Sequence, residues 1–120
     1  MSDRNRYDGG CQCGAVRFEA TIDLPRPTVR NCSRCPRLGW IMAFTPTDSF
    51  TLLRGADSLT EYRFNREVIA HQFCRVCGIE PFARGTPPGA AAEMVAVNVR
   101  CIDGVDPASL QPTMFDGKSR

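Results

Sequence analysis

The 120 residues carry 15 basic and 13 acidic side chains, giving a net charge of +2 and a pI near 8.2. That balance excludes the strong basic field of a charge-driven nucleic-acid binder, and no run of about 20 apolar residues exists to form a membrane-spanning helix. The length suits one domain spanning 1–120, and seven cysteines in so short a chain point to metal or thiol chemistry.

The chain opens with the polar stretch MSDRNRYDGG, which lacks the apolar run of a signal peptide, so a cytoplasmic protein is expected. In a reducing compartment, spaced cysteines more often bind metal or react than form disulfides. Residues 1–8 and 116–120 read as loose ends. "AVRFEATI" (15–22) alternates: Val16, Phe18, Ala20 and Ile22 share one face, and Arg17, Glu19 and Thr21 the other. That pattern predicts a half-buried strand. Shorter strand-like runs follow at 39–44, 49–53, 59–64, 68–73 and 93–99. Turn signals separate them: Pro25 and Pro27, Pro46 and Asp48, Gly55, Gly85 with 87–89, and Asp103-Gly104. "DPASL" (106–110) could open one helical turn, with Asp106 as cap and Pro107 at the first position. No long helical period appears. The expected fold is mainly β.

Six of the seven cysteines form pairs: Cys11/Cys13, Cys32/Cys35 and Cys74/Cys77, with Cys101 alone. Zinc takes four ligands in a tetrahedron, and closely spaced thiolates are its commonest structural donors. Residues i and i+2 of an extended segment point to one side, so Cys11 and Cys13 can meet one ion. A tight turn does the same for Cys74 and Cys77. Both pairs are followed by glycine, Gly14 and Gly78, which allows the positive φ of a turn that wraps a metal. Cys32/Cys35 is followed by Pro36. Spacing alone leaves the pairing of these half-sites open.

"GGCQCGAVRFEA", "NCSRC", "GADSLTEYRF", "HQFCRVCG" and "VAVNVRCIDG" together resemble the glutathione-dependent formaldehyde-activating family, also called the CENP-V/GFA domain. The resemblance covers about residues 9–104. It implies a Mss4-like fold of small coiled β-sheets and one structural zinc shared by Cys11, Cys13, Cys74 and Cys77. It also implies a second, catalytic zinc on a C-x-C-x-x-C run. Cys32 and Cys35 match the last two cysteines of that run, and Arg30 stands at the first. Two thiolates make a poor zinc site unless another group completes it. His71, Cys101 or an acidic residue are the candidates. A fixed guanidinium near the two thiols would favour thiolate and reactivity.

Two functions follow. The first is a carbon–sulfur lyase-type enzyme that joins a glutathione-like thiol to a small aldehyde, with Cys32 and Cys35 as catalytic residues. Arg30, Arg34 or Arg37 could then pair with glutathione carboxylates, and Trp40 and Phe44 could line a pocket. The second is a non-catalytic, zinc-stapled module that binds a thiol or a protein, its catalytic metal lost with the thiolate that Arg30 replaces. No partner of the nucleic-acid or membrane class is expected. No positioned general base can be named from the residues alone.

Overall fold

The computed structural model describes residues 5–22, 28–30, 37, 39–63, 69–86, 92–106 and 113–115. Among these residues, ten strands form two sheets. In chain order they are β1 (Asn5–Gly10), β2 (Arg17–Ile22), β3 (Thr28–Arg30), β4 (Ile41–Pro46), β5 (Phe50–Arg54), β6 (Leu59–Tyr62), β7 (Ile69–Cys74), β8 (Phe82–Gly85), β9 (Met94–Asn98) and β10 (Thr113–Phe115). Three short 3₁₀ turns, Thr47–Ser49, Ala56–Ser58 and Val99–Cys101, join them. Among the described residues no helix is long and apolar enough to cross a membrane.

The smaller sheet is β1-β2-β5 and the larger is β10-β3-β4-β9-β8-β7-β6. All pairings are antiparallel except β10 with β3. The alternation in β2 sets the packing. Val16, Phe18, Ala20 and Ile22 are buried and face Ile41, Ala43, Phe82, Val95 and Val97 of the larger sheet in one apolar cluster. Phe18, Phe50 and Phe82 form its aromatic centre, with ring centroids 4.7 to 6.4 Å apart. One pair is stacked, one tilted and one edge-on, contacts that suit the ring quadrupoles. The Arg84 guanidinium lies 5.3 Å over the Phe82 ring and 5.4 Å over Phe50, covering the cluster with a weakly hydrated cation. Thr45 Oγ1 donates to the Thr21 carbonyl at 2.7 Å and ties the sheets together.

The opposite face of the larger sheet carries a second buried cluster of Trp40, Met42, Ala83 and Ala96, with Ile69 against it. Register explains the grouping. His71 pairs with Ala83, Ala83 with Ala96, and Ala96 with Phe44. Directly paired residues share a face.

The mainly-β expectation holds, with one correction near the N-terminus. Residues 5–8, read above as part of a loose end, belong to β1 and pair in full register with β2. The backbone ladder does not need apolar side chains, and the exposed face of this edge strand is polar, with Arg6 reaching Asp8 and Glu19. The helical turn expected at 106–110 and the C-terminal tail 116–120 lie outside the described residues, Asp106 excepted.

Candidate metal centre

Two turns bring four cysteines together. The first follows β1. Cys11 N–H donates to the Val16 carbonyl at 3.1 Å, and Val16 N–H returns to the Cys11 sulfur at 3.3 Å. Gly14 turns the chain at φ 83°. The second turn follows β7. Cys74 N–H donates to the Ile79 carbonyl at 2.8 Å, and Gly78 N–H to the Cys74 carbonyl at 2.7 Å. Gly78 has φ 81°, a conformation that side chains with a Cβ rarely adopt. Both glycines flagged by the cysteine spacing therefore serve as turn glycines.

The four sulfurs of Cys11, Cys13, Cys74 and Cys77 all lie within 4.8 Å of one another. Cys11 to Cys13 is 3.6 Å and Cys13 to Cys74 is 3.7 Å. A zinc–sulfur bond of about 2.3 Å in a tetrahedron requires sulfurs about 3.8 Å apart. Those two gaps meet this spacing, and no other gap in the cluster exceeds 4.8 Å. The cluster is graded in exposure: Cys11 and Cys74 are buried, Cys77 is half-buried and Cys13 is exposed.

The thiols do not ionise alike. Burial pushes Cys11 up, but the Val16 N–H and the neighbouring thiols outweigh it and hold the group below its ordinary value. Cys77 follows the same pattern: burial opposes, N–H donors and neighbouring sulfurs win, and it falls to about 6. Cys13 is lowered by the Ala15 backbone but raised more by local desolvation and the other three sulfurs, reaching about 11. Four thiolates this close cannot all be charged without a cation among them, and a divalent metal supplies that charge.

Cys101 is not a member of the cluster. Its thiol is pushed up to about 12, by burial first and then by Cys11, Cys77 and Glu80, and its sulfur points to the Glu80 carbonyl at 3.8 Å. It is a half-buried thiol packed beside the site. Its backbone matters more than its sulfur. Gly9 bridges to Ile102, and a Cβ at Gly9 would come within 2.4 Å of the Cys101 carbonyl. Only glycine lets β1 pass that close.

A second polar arrangement escaped the sequence reading. His71 Nδ1 lies 2.7 Å from Glu80 Oε2, with both side chains almost fully buried. The β7–β8 register sets His71 opposite Ala83, and the Glu80 side chain reaches the ring from the connection that precedes β8. No local spacing in the sequence marks this pair. Glu80 is fixed from its backbone as well, since Asn98 Nδ2 donates to its carbonyl at 2.9 Å. The Trp40 ring meets the imidazole edge-on at 6.5 Å between centroids.

Residues 6–116 match the family model described as glutathione-dependent formaldehyde-activating enzyme. The chain belongs to this family. Its fold is similar to the crystal structure of a Rhodobacter sphaeroides protein, with a TM-score of 0.77 and 32% identity, covering 88% of this chain and 99% of that one. In this formaldehyde-activating family member, Arg30 is the last residue of β3, and Arg37 is exposed. Cys32, Arg34 and Cys35 lie outside the described residues. Of the two aromatic candidates for a pocket, Trp40 is buried in the second cluster and Phe44 is 36% exposed. Arg100 Nε donates to the Gly39 carbonyl at 2.7 Å, which pins the start of β4 to the turn after β9.

Proposed function

We propose that Cys11, Cys13, Cys74 and Cys77 bind a structural zinc, and that the chain is a carbon–sulfur lyase-type enzyme acting on a glutathione–formaldehyde adduct. The observation that carries the zinc assignment is the convergence of four sulfurs within 4.8 Å of one another, two of the gaps being 3.6 and 3.7 Å. The ion would supply folding energy rather than chemistry, because four thiolates leave no open position. The donor set also argues for a thiophilic metal over calcium or magnesium, which prefer oxygen.

The lyase reading is supported by membership of the family and by the position of the second cysteine pair. Cys32 and Cys35 fall in the connection between β3 and β4, which ends at Trp40 beside His71. In this reading the two thiols form the reacting site, and a thiol such as glutathione is the ligand. Such a protein works in a reducing, cytoplasmic compartment.

One feature favours a second reading. Arg30 occupies the place of a third thiolate, so a non-catalytic zinc-stapled thiol- or protein-binding module is the competing function. Two measurements separate the readings. The enzyme should accelerate formation of the hydroxymethyl adduct from glutathione and formaldehyde, followed by exchange NMR. Glutathione should also raise the melting temperature more than S-methylglutathione does, since only the free thiol can meet a thiol-centred site. A chain that shows no acceleration but is stabilised by a thiol ligand would be the module.

A further inference from the structure

The cysteine cluster has one open side, and its four sulfurs do not share that side equally. Cys13 is exposed and Cys77 half-buried, while Cys11 and Cys74 are buried. Beyond its chain neighbours, a Cβ at Gly78 would meet no atom within 4 Å, and one at Gly14 would meet only an Arg54 guanidinium nitrogen at 3.9 Å. The residues that follow the two outer cysteines thus place nothing over them. We infer that hydrogen peroxide attacks the cluster at Cys13 and exchanges its metal for a Cys13–Cys74 disulfide. This rests on the zinc reading above and is independent of the lyase reading.

Three observations support it. First, access selects the sulfur. With an ion bound all four sulfurs are thiolates, so exposure ranks them as nucleophiles. Val16 N–H also donates to Cys11 Sγ at 3.3 Å, which occupies a lone pair on a sulfur already buried. Second, a resolving thiolate stands beside the one attacked. Cys74 Sγ lies 3.7 Å from Cys13 Sγ and comes from the other turn, 61 residues on. Cys11 Sγ is as near, at 3.6 Å, but a bond to it would close a ring over the single residue Gln12. Such a ring strains the dihedral that a disulfide prefers. Third, the new bond spans the same gap as the ion. The metal joins the turn after β1 to the turn after β7, and a Cys13–Cys74 bond joins the same two turns. The loop between them stays closed when the ion leaves.

The steps balance with hydrogen peroxide as the oxidant. The Cys13 thiolate takes an OH group from H2O2, becomes the sulfenic acid S–OH and releases hydroxide. The Cys74 thiolate then attacks that sulfur, forms the S–S bond and expels a second hydroxide. The two sulfurs lose two electrons, and the oxygens of the broken O–O bond gain them. Two thiolates have become a neutral disulfide. Cys11 and Cys77 remain, and two ligands hold zinc poorly, so the ion is released.

The test uses the zinc-loaded full chain, treated with hydrogen peroxide beside a control without it, with a chromogenic chelator present in both. Zinc should appear in step with the Cys13–Cys74 bond, one ion for each bond. Non-reducing peptide mapping reads that bond and separates it from any formed elsewhere in the chain. Reduction with zinc added back should restore the metal content. The oxidised, zinc-free chain should also melt above the reduced chain stripped by chelator, since only the oxidised chain keeps the loop closed. A cluster disulfide that lacks Cys13, zinc lost with Cys13 unmodified, or zinc fully retained under peroxide would each overturn the inference. An oxidised chain that melts no higher than the stripped one would overturn the exchange of one staple for another. A chain that holds no zinc before oxidation would remove the zinc reading itself, and metal analysis at the start sets that failure apart from the others.

Discussion

Replacing Cys74 by serine attacks the metal centre at its most buried ligand. Its sulfur is shut from solvent and lies 3.7 Å from Cys13 Sγ. Serine offers a harder oxygen on a shorter bond, which zinc in a thiolate site binds poorly. Structural zinc in small peptides contributes about 10–16 kcal/mol of apparent free energy at neutral pH. Shared equally among four ligands, one thiolate accounts for about 2.5–4 kcal/mol. Whole domains are stable by only about 5–15 kcal/mol, so that loss removes a large fraction of the total. With roughly 4 °C of melting temperature per kcal/mol for a chain of this size, the variant should melt about 10–15 °C lower. Metal analysis and thermal melts, each with and without a chelator, read the result. Chelator should lower the wild type most and Cys74→Ser less, because three thiolates hold the ion more weakly. A variant that keeps the wild-type metal content, or one that chelator destabilises as much as the wild type, would refute the ligand assignment.

Three further perturbations probe other parts of the argument. Arg30→Cys restores a C-x-C-x-x-C run and should raise the metal content from one zinc per chain to two; two ions already present in the wild type would mean that another residue completes the second site. Gly9→Ala forces a Cβ to within 2.4 Å of the Cys101 carbonyl and 2.7 Å of the Phe18 ring, so a loss of about 1–3 kcal/mol is expected in denaturant melts, and an unchanged midpoint would show that β1 does not pack this closely. The hydrogen bonds and charge of Arg17 hold the Asp103 carboxyl below its ordinary value. Its contribution is therefore complete above the ordinary carboxylate range, near pH 4, and is lost as pH falls through the lowered value. Because the pair is exposed, Asp103→Asn should cost less than about 1 kcal/mol at pH 7 and flatten the acid limb of a stability–pH curve.

The legible parts of the fold were those whose side chains report burial. β2 alternates because one face meets the core and the other meets water, so its inward set could be named residue by residue. β1 hides from such a reading. NRYDGG pairs through its backbone, its outer residues are solvated, and its two buried residues are glycines chosen for close approach rather than for hydrophobicity. β8 is hidden for a related reason, since Arg84 buries its guanidinium against rings while reading as a surface charge. At the site, the two cysteine half-sites were legible because thiolate spacing and the following glycines are local, whereas their sharing of one ion followed only from the family resemblance. The His71–Glu80 pair was not, because two isolated polar residues acquire meaning only when a turn folds one strand back on another.

The metal centre also has a consequence for the order of folding. Cys13 and Cys74 are 61 residues apart, and the strands β2 to β6 all lie between them. Closing a loop of that length costs about 4 kcal/mol of chain entropy, by the relation used for covalent cross-links. Either two-cysteine half-site alone grips an ion weakly, so the ion cannot organise the chain from the outset. The apolar contacts between the sheets must first bring the two turns near each other, and the metal then locks an arrangement already formed. Refolding started without zinc would thus reach a compact chain before it reaches the native one, and the rate of the last step would follow the free metal concentration.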